Sequence, residues 1–184
     1  LTVISPLLNK QKNKILFLFA NRAHHSDIGG ITPGSMPAFS KSIYEEGILF
    51  NGFSVLQKNK VLDNKILKEF KKGKFPSRDP IQNLNDIKAQ VAACKKGILE
   101  MEKIISSYSL DTVNQYVSFI NKNCTEVIDK IIKKIPNSKF SCKLDNGAII
   151  QLEINFNKST KKLEIDFSGS SKLLDNNFNT PKAV

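Results

Sequence analysis

The feature that most constrains the fold is a pair of helical patterns in the middle of the chain. Asp79 followed by Pro80 is a strong helix start, because aspartate caps free backbone amides and proline fits the first helical turn. Apolar residues then recur in alternating steps of three and four, at Leu84, Ile87, Val91, Cys94, Ile98, Met101 and Ile105. A second stripe follows Ser109 and comprises Val113, Val117, Ile120, Cys124, Val127 and Ile131. Because each stripe needs cover, residues 79–135 are predicted to form an antiparallel helical hairpin that turns near Tyr108.

Patterns typical of β-strands lie on both sides of these helices. Residues 2–4 and 15–20 are predicted to pair as a hairpin, and the second run is continuously apolar, as in a strand buried on both faces. A third strand is predicted at residues 52–56, and Asp63 is predicted to cap a short helix over residues 64–72. Residues 139–168 alternate apolar and polar side chains, which predicts an antiparallel meander. The order predicts an α+β fold, with antiparallel strands at both ends flanking the helical hairpin.

The length and the ends of the chain bear on its domain organisation. A chain of 184 residues is long enough for one domain with its own core. It opens within a predicted strand and ends without a polar tail, so we expect an interior fragment of a larger domain. Within that fragment, residues 1–57 carry strands and a histidine-rich loop, residues 79–135 the helices and residues 139–168 the meander.

The net charge of +11 comes almost entirely from lysine, since Arg22 and Arg78 are the only arginines. The lysines are scattered, with no arginine cluster and no interleaved aromatic residues on which bases could stack. We therefore interpret them as solvated surface charge and expect no nucleic-acid and no membrane partner.

The cysteines indicate a reducing compartment. Cys94, Cys124 and Cys142 are odd in number, lie far apart and form no CxxC pair. This pattern favours reduced thiols in an intracellular protein over disulfides or a zinc site. No apolar run in the sequence approaches the about 20 residues of a membrane helix, so the expected location is the cytoplasm.

The candidate chemistry lies in residues 21–37, which we call the signature loop. It follows a predicted strand, holds both histidines, His24 and His25, together with Asp27, and then has three glycines and two prolines within nine residues. Such a density of glycine and proline favours a shaped loop over a helix or strand. Functional side chains are often mounted on loops that a rigid scaffold holds.

Two interpretations of His24, His25 and Asp27 remain open on the pattern alone. Imidazole and carboxylate groups are ligands that divalent zinc, manganese or iron accept. Adjacent side chains on extended backbone point to opposite sides, so only one of the two histidines is expected to reach a given metal. The alternative is a pair of ordinary loop histidines, and the bare pattern favours it because a closed metal site needs more ligands.

Two further patterns are candidate binding sites. Gly29, Gly30, Gly34 and Ser35 match neither the P-loop nor the dinucleotide glycine pattern, so we interpret them as structural. On the first long helix, Asn83, Asp86 and Gln90 share one face and are candidate substrate-binding residues. A solvated helix flank is the alternative for these three side chains.

The signature loop closely resembles the signature of the hydantoinase B/oxoprolinase family. The resemblance extends in order along nearly the whole chain, and within the family it points to the C-terminal half of the ATP-dependent 5-oxoprolinases. The later matching blocks are residues 45–47, 80–84 with 86, 89–90 and 92–93, then 166–169 and 177–184. The resemblance implies a hydrolase that opens 5-oxo-L-proline to L-glutamate with ATP hydrolysis, as in glutathione metabolism. The alternatives are a related hydantoinase or ketone carboxylase subunit, or a non-catalytic interaction scaffold.

The resemblance also implies a site and its partners. His24 and His25 are the candidate ligands of a divalent metal, Zn, Mn or Mg, with His24 favoured, and Asp27 is the candidate catalytic carboxylate. The remaining ligands, a histidine and an aspartate three residues apart, are implied just before the strand that begins at Leu1. ATP is implied on a hydantoinase A-like half, in the same chain or as a subunit, so we expect the isolated fragment to be inactive. A homodimer is an open alternative for the assembly.

Overall fold

The computed structural model describes residues 1–9, 13–35 and 37–180. The elements in chain order are β1 (Thr2–Asn9), β2 (Lys14–Arg22), α1 (Ile43–Glu46), β3 (Leu56–Gln57), β4 (Lys60–Val61), α2 (Asp63–Phe70), α3 (Pro80–Tyr108), α4 (Leu110–Ile132), β5 (Ser138–Lys143), β6 (Ile149–Asn157) and β7 (Lys162–Asp166). Antiparallel strands at both ends with long helices between them confirm the predicted fold class. The family-like block over residues 177–184 lies partly outside the described residues.

The chain divides into two compact units. One comprises Leu1–Ile104 with the described residues from Asp175 onward, and the other comprises Ile105–Leu174. Among the described residues, no helix combines the length and the apolar character that a membrane span requires. The signature loop and the three candidate residues of α3 all lie in the first unit.

The first unit begins with the β1–β2 hairpin, which confirms the predicted antiparallel pairing. Val3 and Leu7 are buried on one face of β1, while Ile15 and Leu18 of β2 remain exposed. The prediction that the second strand is buried on both faces is therefore wrong. The physical reason is that this two-stranded sheet is covered on one face, and the pleat turns alternate side chains toward solvent.

Helix α3 starts where the sequence predicts. The Oδ1 atom of Asp79 accepts a hydrogen bond from the backbone amide of Gln82 at 3.0 Å, which is an N-terminal cap. The first half of the predicted stripe is buried and packs with residues of β1 and α2; the cluster comprises Val3, Ile66, Phe70, Leu84, Ile87, Val91 and Cys94. Burial of this stripe anchors α3 next to the β1–β2 hairpin, and so next to the signature loop.

The second unit contains α4 and the meander. The hydroxyl of Ser109 accepts a hydrogen bond from the backbone amide of Thr112, as expected for the start of α4. The meander is confirmed, with the order β5-β6-β7 and pairs such as Phe140 with Leu152. The prediction that the α4 stripe is covered is wrong, because Val113 is buried but Val117, Ile120, Cys124, Val127 and Ile131 are exposed. An apolar stripe predicts that a helix needs a partner surface but does not say where that surface is.

Two short elements differ from their predictions. The third strand is confined to β3, which pairs only with β4, and residues 52–55 have no strand structure. Asp63 is the first residue of α2 and not its cap, and its Oδ2 atom accepts a hydrogen bond from the Lys88 ammonium group at 2.6 Å. This ion pair links α2 to α3.

Candidate functional site

The signature loop leaves the end of β2 and is attached to α3 by His25. The His25 side chain is fully buried, with 0% of its surface exposed. Its Nε2 atom lies 3.1 Å from Oε1 of Gln90, and its Nδ1 atom lies 3.3 Å from Nδ2 of Asn83. Both ring nitrogens are therefore occupied by side-chain amides of one helix.

The surrounding hydrogen bonds assign the tautomer of His25. The amide nitrogen of Gln90 donates to the backbone oxygen of Leu1 at 3.1 Å, so its oxygen faces the ring and accepts a hydrogen bond from Nε2–H. Asn83 donates through Nδ2 to the backbone oxygen of Asp27 at 2.8 Å, while its Oδ1 accepts from the hydroxyl of Ser77. In this network His25 carries its proton on Nε2 and accepts at Nδ1.

The three candidate residues of α3 do share one face, but they differ in exposure. Asn83 is 0% exposed and Gln90 is 4% exposed, and both use their amide groups within the protein. Asp86 is partly exposed; its Oδ2 lies 3.7 Å from Nδ1 of His25, and its Oδ1 accepts from Gln82. Their role in substrate binding stays a prediction. The geometry of Asn83 and Gln90 favours a role in which these two amides hold the His25 ring in place.

His24 lies on the other side of the backbone. Its side chain is exposed while that of His25 is buried, as expected for neighbouring residues on extended backbone. In the parts of the chain that the structure describes, no three side chains of the types His, Cys, Asp and Glu are grouped closely enough to hold a metal. These residues fit a metal site only to the extent of one exposed imidazole, so the metal assignment of His24 and His25 stays a prediction.

Asp27 organises the loop from within. Its Oδ1 accepts from the amides of Gly29 and Arg78, and its Oδ2 accepts from the amide of Gly34 and the Arg78 guanidinium. Burial works to raise the pKa of the Asp27 carboxyl, but these hydrogen bonds outweigh it and hold the pKa below its ordinary value. A carboxylate with both oxygens engaged and a lowered pKa is a poor proton acceptor, so the geometry favours a structural role, while its catalytic role stays a prediction.

Arg78 is the site residue that the sequence interpretation missed. Its Nη1 atom donates to Oδ2 of Asp27 at 2.8 Å, and its Nη2 atom donates to the backbone oxygen of Gly30 at 2.9 Å. The available signal was its rarity, because it is one of two arginines in a chain whose other cationic side chains are lysines. A planar guanidinium that bonds two acceptors at once is not replaced by lysine.

The glycines of the loop serve backbone packing. Gly29 and Gly30 both have φ of +94°, a conformation that L side chains rarely adopt. The amide of Gly30 donates to the oxygen of Phe75 at 3.0 Å, and that of Ile31 donates to the oxygen of Glu45 at 2.8 Å. Because these amides are already bonded, they do not form an anion cradle, in agreement with the structural interpretation of this glycine pattern.

Asp27→Asn is expected to destabilise the chain by about 1–3 kcal/mol at pH 7, through weakened charge-assisted hydrogen bonds to Gly29, Gly34 and Arg78. Because the folded-state pKa lies below the ordinary value of 3.8, the carboxylate's contribution is complete above that value and is lost as the pH falls through the folded pKa. Urea unfolding at several pH values should show that the difference in unfolding free energy between the wild type and Asp27→Asn decreases below pH 3.8.

The matched control is Asp175→Asn, which removes an exposed carboxylate that pairs with the exposed Lys41. It should change the unfolding free energy little at any pH. If the wild type remains more stable than Asp27→Asn by the same unfolding free energy into strong acid, the proposed charge contribution is contradicted.

The chain is similar to known proteins along its whole length. A family model described as Hydantoinase B/oxoprolinase matches residues 1–184. The protein named 5-oxoprolinase 1 from Arabidopsis thaliana is 35% identical over 211 residues, covering 100% of this chain and 16% of that protein. The 5-oxoprolinase of Saccharomyces cerevisiae is 36% identical over 196 residues, covering 100% of this chain and 15% of that protein.

A more distant relative has a different name. A putative D-/L-hydantoinase subunit from a Pseudomonas species is 28% identical over 131 residues, covering 71% of this chain and 22% of that protein. No solved structure matches the chain. The chain spans only 15% and 16% of the length of the two oxoprolinases.

Proposed function

Because the chain belongs to the hydantoinase B/oxoprolinase family, we propose that it forms part of an ATP-dependent amidohydrolase that opens 5-oxo-L-proline to L-glutamate. The observation that carries this proposal is the similarity to named 5-oxoprolinases along 100% of the chain. The proposed location is the cytoplasm, and the proposed partner is a hydantoinase A-like half that binds ATP. The Pseudomonas relative is named as one subunit of a hydantoinase, which is consistent with such a division of labour.

The proposed chemistry follows from the low reactivity of an unstrained lactam. ATP transfers its γ-phosphoryl group to the amide oxygen, which turns that oxygen into a leaving group. Water then adds to the ring carbon and the C–N bond breaks, which opens the ring to an acyl phosphate. A second water adds to the same carbon and releases phosphate, leaving glutamate. A divalent metal held by His24 would supply Lewis-acid polarisation of an oxygen atom.

In this chain, His24 is the residue proposed to hold the metal. Its imidazole is exposed, whereas both nitrogens of His25 are occupied by Gln90 and Asn83. Leu1 exchanges backbone hydrogen bonds with Ala23, the residue before His24. The family pattern implies the other ligands just before Leu1, and residues there would continue this antiparallel pairing next to His24.

A hydantoinase is the second candidate function, and the Pseudomonas relative is the observation that favours it. The two candidates are separated by offering the full-length protein ATP with either 5-oxo-L-proline or a hydantoin. The first proposal expects glutamate and ADP in equal amounts from 5-oxo-L-proline and little product from the hydantoin. The reverse preference supports the second candidate, and ring opening of neither substrate contradicts both.

The isolated 184-residue chain is expected not to bind ATP. Its glycine-loop amides are bonded within the protein, and the sequence has no P-loop pattern. Calorimetry with the chain alone should show no heat of binding, with the full-length protein as the positive control. Micromolar ATP binding by the chain alone would contradict the assignment of the nucleotide to the other half.

A further inference from the structure

We propose that His25 and Gln90 form a positioning pair that fixes the signature loop against the start of β1. This inference rests on the proposed function, because it makes the exposed His24 the group that is being positioned. His25 then acts through its neighbour and contacts neither metal nor substrate. Its geometric basis is the network of buried hydrogen bonds around one amide group.

The Gln90 side chain joins two segments of the chain. Its oxygen accepts from Nε2 of His25 at 3.1 Å, and its nitrogen donates to the backbone oxygen of Leu1 at 3.1 Å. The same nitrogen lies 3.5 Å from the backbone oxygen of Asn21, the residue that pairs with Val3. One buried amide therefore connects the loop histidine with the start of β1 and the end of β2.

This connection matters because both segments flank the proposed metal. His24 lies beside His25 in the loop, and Leu1 exchanges backbone hydrogen bonds with Ala23, the residue before His24. A metal site needs its ligands held within a few tenths of an ångström, and buried hydrogen-bonding residues behind the ligands usually provide this. The His25–Gln90 pair spans the two segments from the buried side.

The orientation of His24 follows from the burial of His25. Adjacent side chains on extended backbone face opposite sides, so an inward His25 turns His24 outward. The His25 ring stacks on Phe70, with ring centroids 6.2 Å apart and an interplanar angle of 22°. Turning the ring outward would therefore lose this packing. Phe70 is itself fully buried in the core of the first unit. Core packing thus determines which histidine faces solvent.

A second amide completes the attachment. Asn83 donates to Nδ1 of His25 and to the backbone oxygen of Asp27. The two amides stand on the same face of α3 and hold the ring from both nitrogens. The tautomer with the proton on Nε2 satisfies both amide partners of the ring.

The first test reads this tautomer directly in the wild-type chain. Long-range ¹H–¹⁵N spectra of the imidazole rings should show His25 with a protonated Nε2 and an unprotonated Nδ1. His24, which is exposed, is the internal comparison and is expected to exchange between tautomers. A His25 ring that is protonated on Nδ1, or that exchanges in the same way as His24, would overturn the proposed pair.

The second test measures Zn²⁺ binding and folding in the full-length protein. His25→Phe keeps an aromatic ring on Phe70 but removes both ring nitrogens. It should weaken Zn²⁺ binding by about 10 to 100-fold while leaving one metal per chain at saturation. Loss of the saturating stoichiometry would instead make His25 a ligand and overturn the inference.

A double variant separates positioning from stability. Adding Gln90→Leu to His25→Phe removes the buried Gln90 amide that would otherwise lack its ring partner. Asn83 keeps its hydrogen bond to the backbone oxygen of Asp27, so folding should partly recover. Zn²⁺ affinity should stay low, because the connection between the loop and Leu1 is still missing. If affinity recovers along with folding, His25 serves stability only and the inference fails.

These outcomes are distinct from a failure of the proposed function. His24→Ala is the matched variant at the neighbouring position, and it should abolish stoichiometric Zn²⁺ binding. If His24→Ala retains full Zn²⁺ occupancy, the proposed ligand is wrong, whereas the tautomer of His25 in the wild-type chain still decides whether the buried pair exists.

Discussion

Gly30→Ala is expected to destabilise the chain by at least about 3 kcal/mol and to displace the signature loop. A Cβ atom at this position would lie 2.7 Å from the backbone oxygen of Glu45 and 2.8 Å from the carbonyl carbon and oxygen of Glu46. These are backbone atoms that a side-chain rotation cannot move away. The φ of +94° adds a penalty of about 1–2 kcal/mol for any residue with a Cβ.

The matched control is Gly34→Ala in the same loop. Gly34 also has a positive φ, +82°, but a Cβ there would meet nothing within 4 Å. It should therefore cost only the conformational penalty of about 1–2 kcal/mol. Urea denaturation compares the two variants, and equal costs would show that the close approach of the loop to residues 45–46 does not form.

His24→Ala is expected to reduce ring opening by the full-length protein more than about 100-fold, together with loss of the metal. The reason is that removing the proposed ligand would take away the proposed Lewis acid, whereas replacing a residue that supports a ligand commonly costs about 10 to 100-fold. The measurement is steady-state turnover of 5-oxo-L-proline with ATP, alongside metal content. Because His24 is exposed and its ring lies outside the core, the variant should keep the unfolding free energy of the wild type within about 0.5 kcal/mol.

The comparison variants sharpen this prediction. His25→Phe should bind metal more weakly but recover turnover when metal is added in excess, since the ligand itself is intact. If Asp27 serves structure, Asp27→Asn should lower turnover only as far as it destabilises the signature loop. It should not shift the pH dependence of turnover. Equal and irreversible losses in His24→Ala and His25→Phe would contradict the division of roles between the two histidines.

Local signals in the sequence predicted much of the fold. The cap at Asp79, the proline after it and the buried stripe from Leu84 to Cys94 depend on residues close in sequence, and the structure confirms them. The meander follows in the same way from its alternating pattern. Where neighbouring residues determine the geometry, pattern and propensity agree with the structure.

The differences arise where a distant surface decides the outcome. Leu18 is 63% exposed because β2 has only β1 beside it, and its apolar sequence cannot report how many strands or layers surround it. Ile120 is 60% exposed on α4 for a related reason: the stripe predicts an apolar partner, but among the described residues of Ile105–Leu174 only Val113 is a buried hydrophobic residue. Neither the number of strands nor the source of a covering surface is encoded in a periodicity.

In the candidate site, too, the sequence predicted the local features but not the long-range contacts. The sequence pattern grouped Asn83, Asp86 and Gln90 on one face and placed both histidines in a shaped loop, because helical spacing and glycine content are local. It did not show that His25 enters that face, since 65 residues separate His25 from Gln90. It also missed Arg78, which is 51 residues from Asp27. Long-range side-chain partners become visible only when the packing of α3 against the β1–β2 hairpin is known.

The most direct test of the central claim is the metal content of the full-length protein after both histidines are replaced. The variant combines His24→Ala with His25→Phe and is purified with excess Zn²⁺ or Mn²⁺, with the wild type treated identically. The account predicts one metal per chain in the wild type and none in the double variant, with ring opening lost in parallel. A double variant that keeps one metal per chain and normal turnover would show that the signature loop is structural and that the site lies elsewhere.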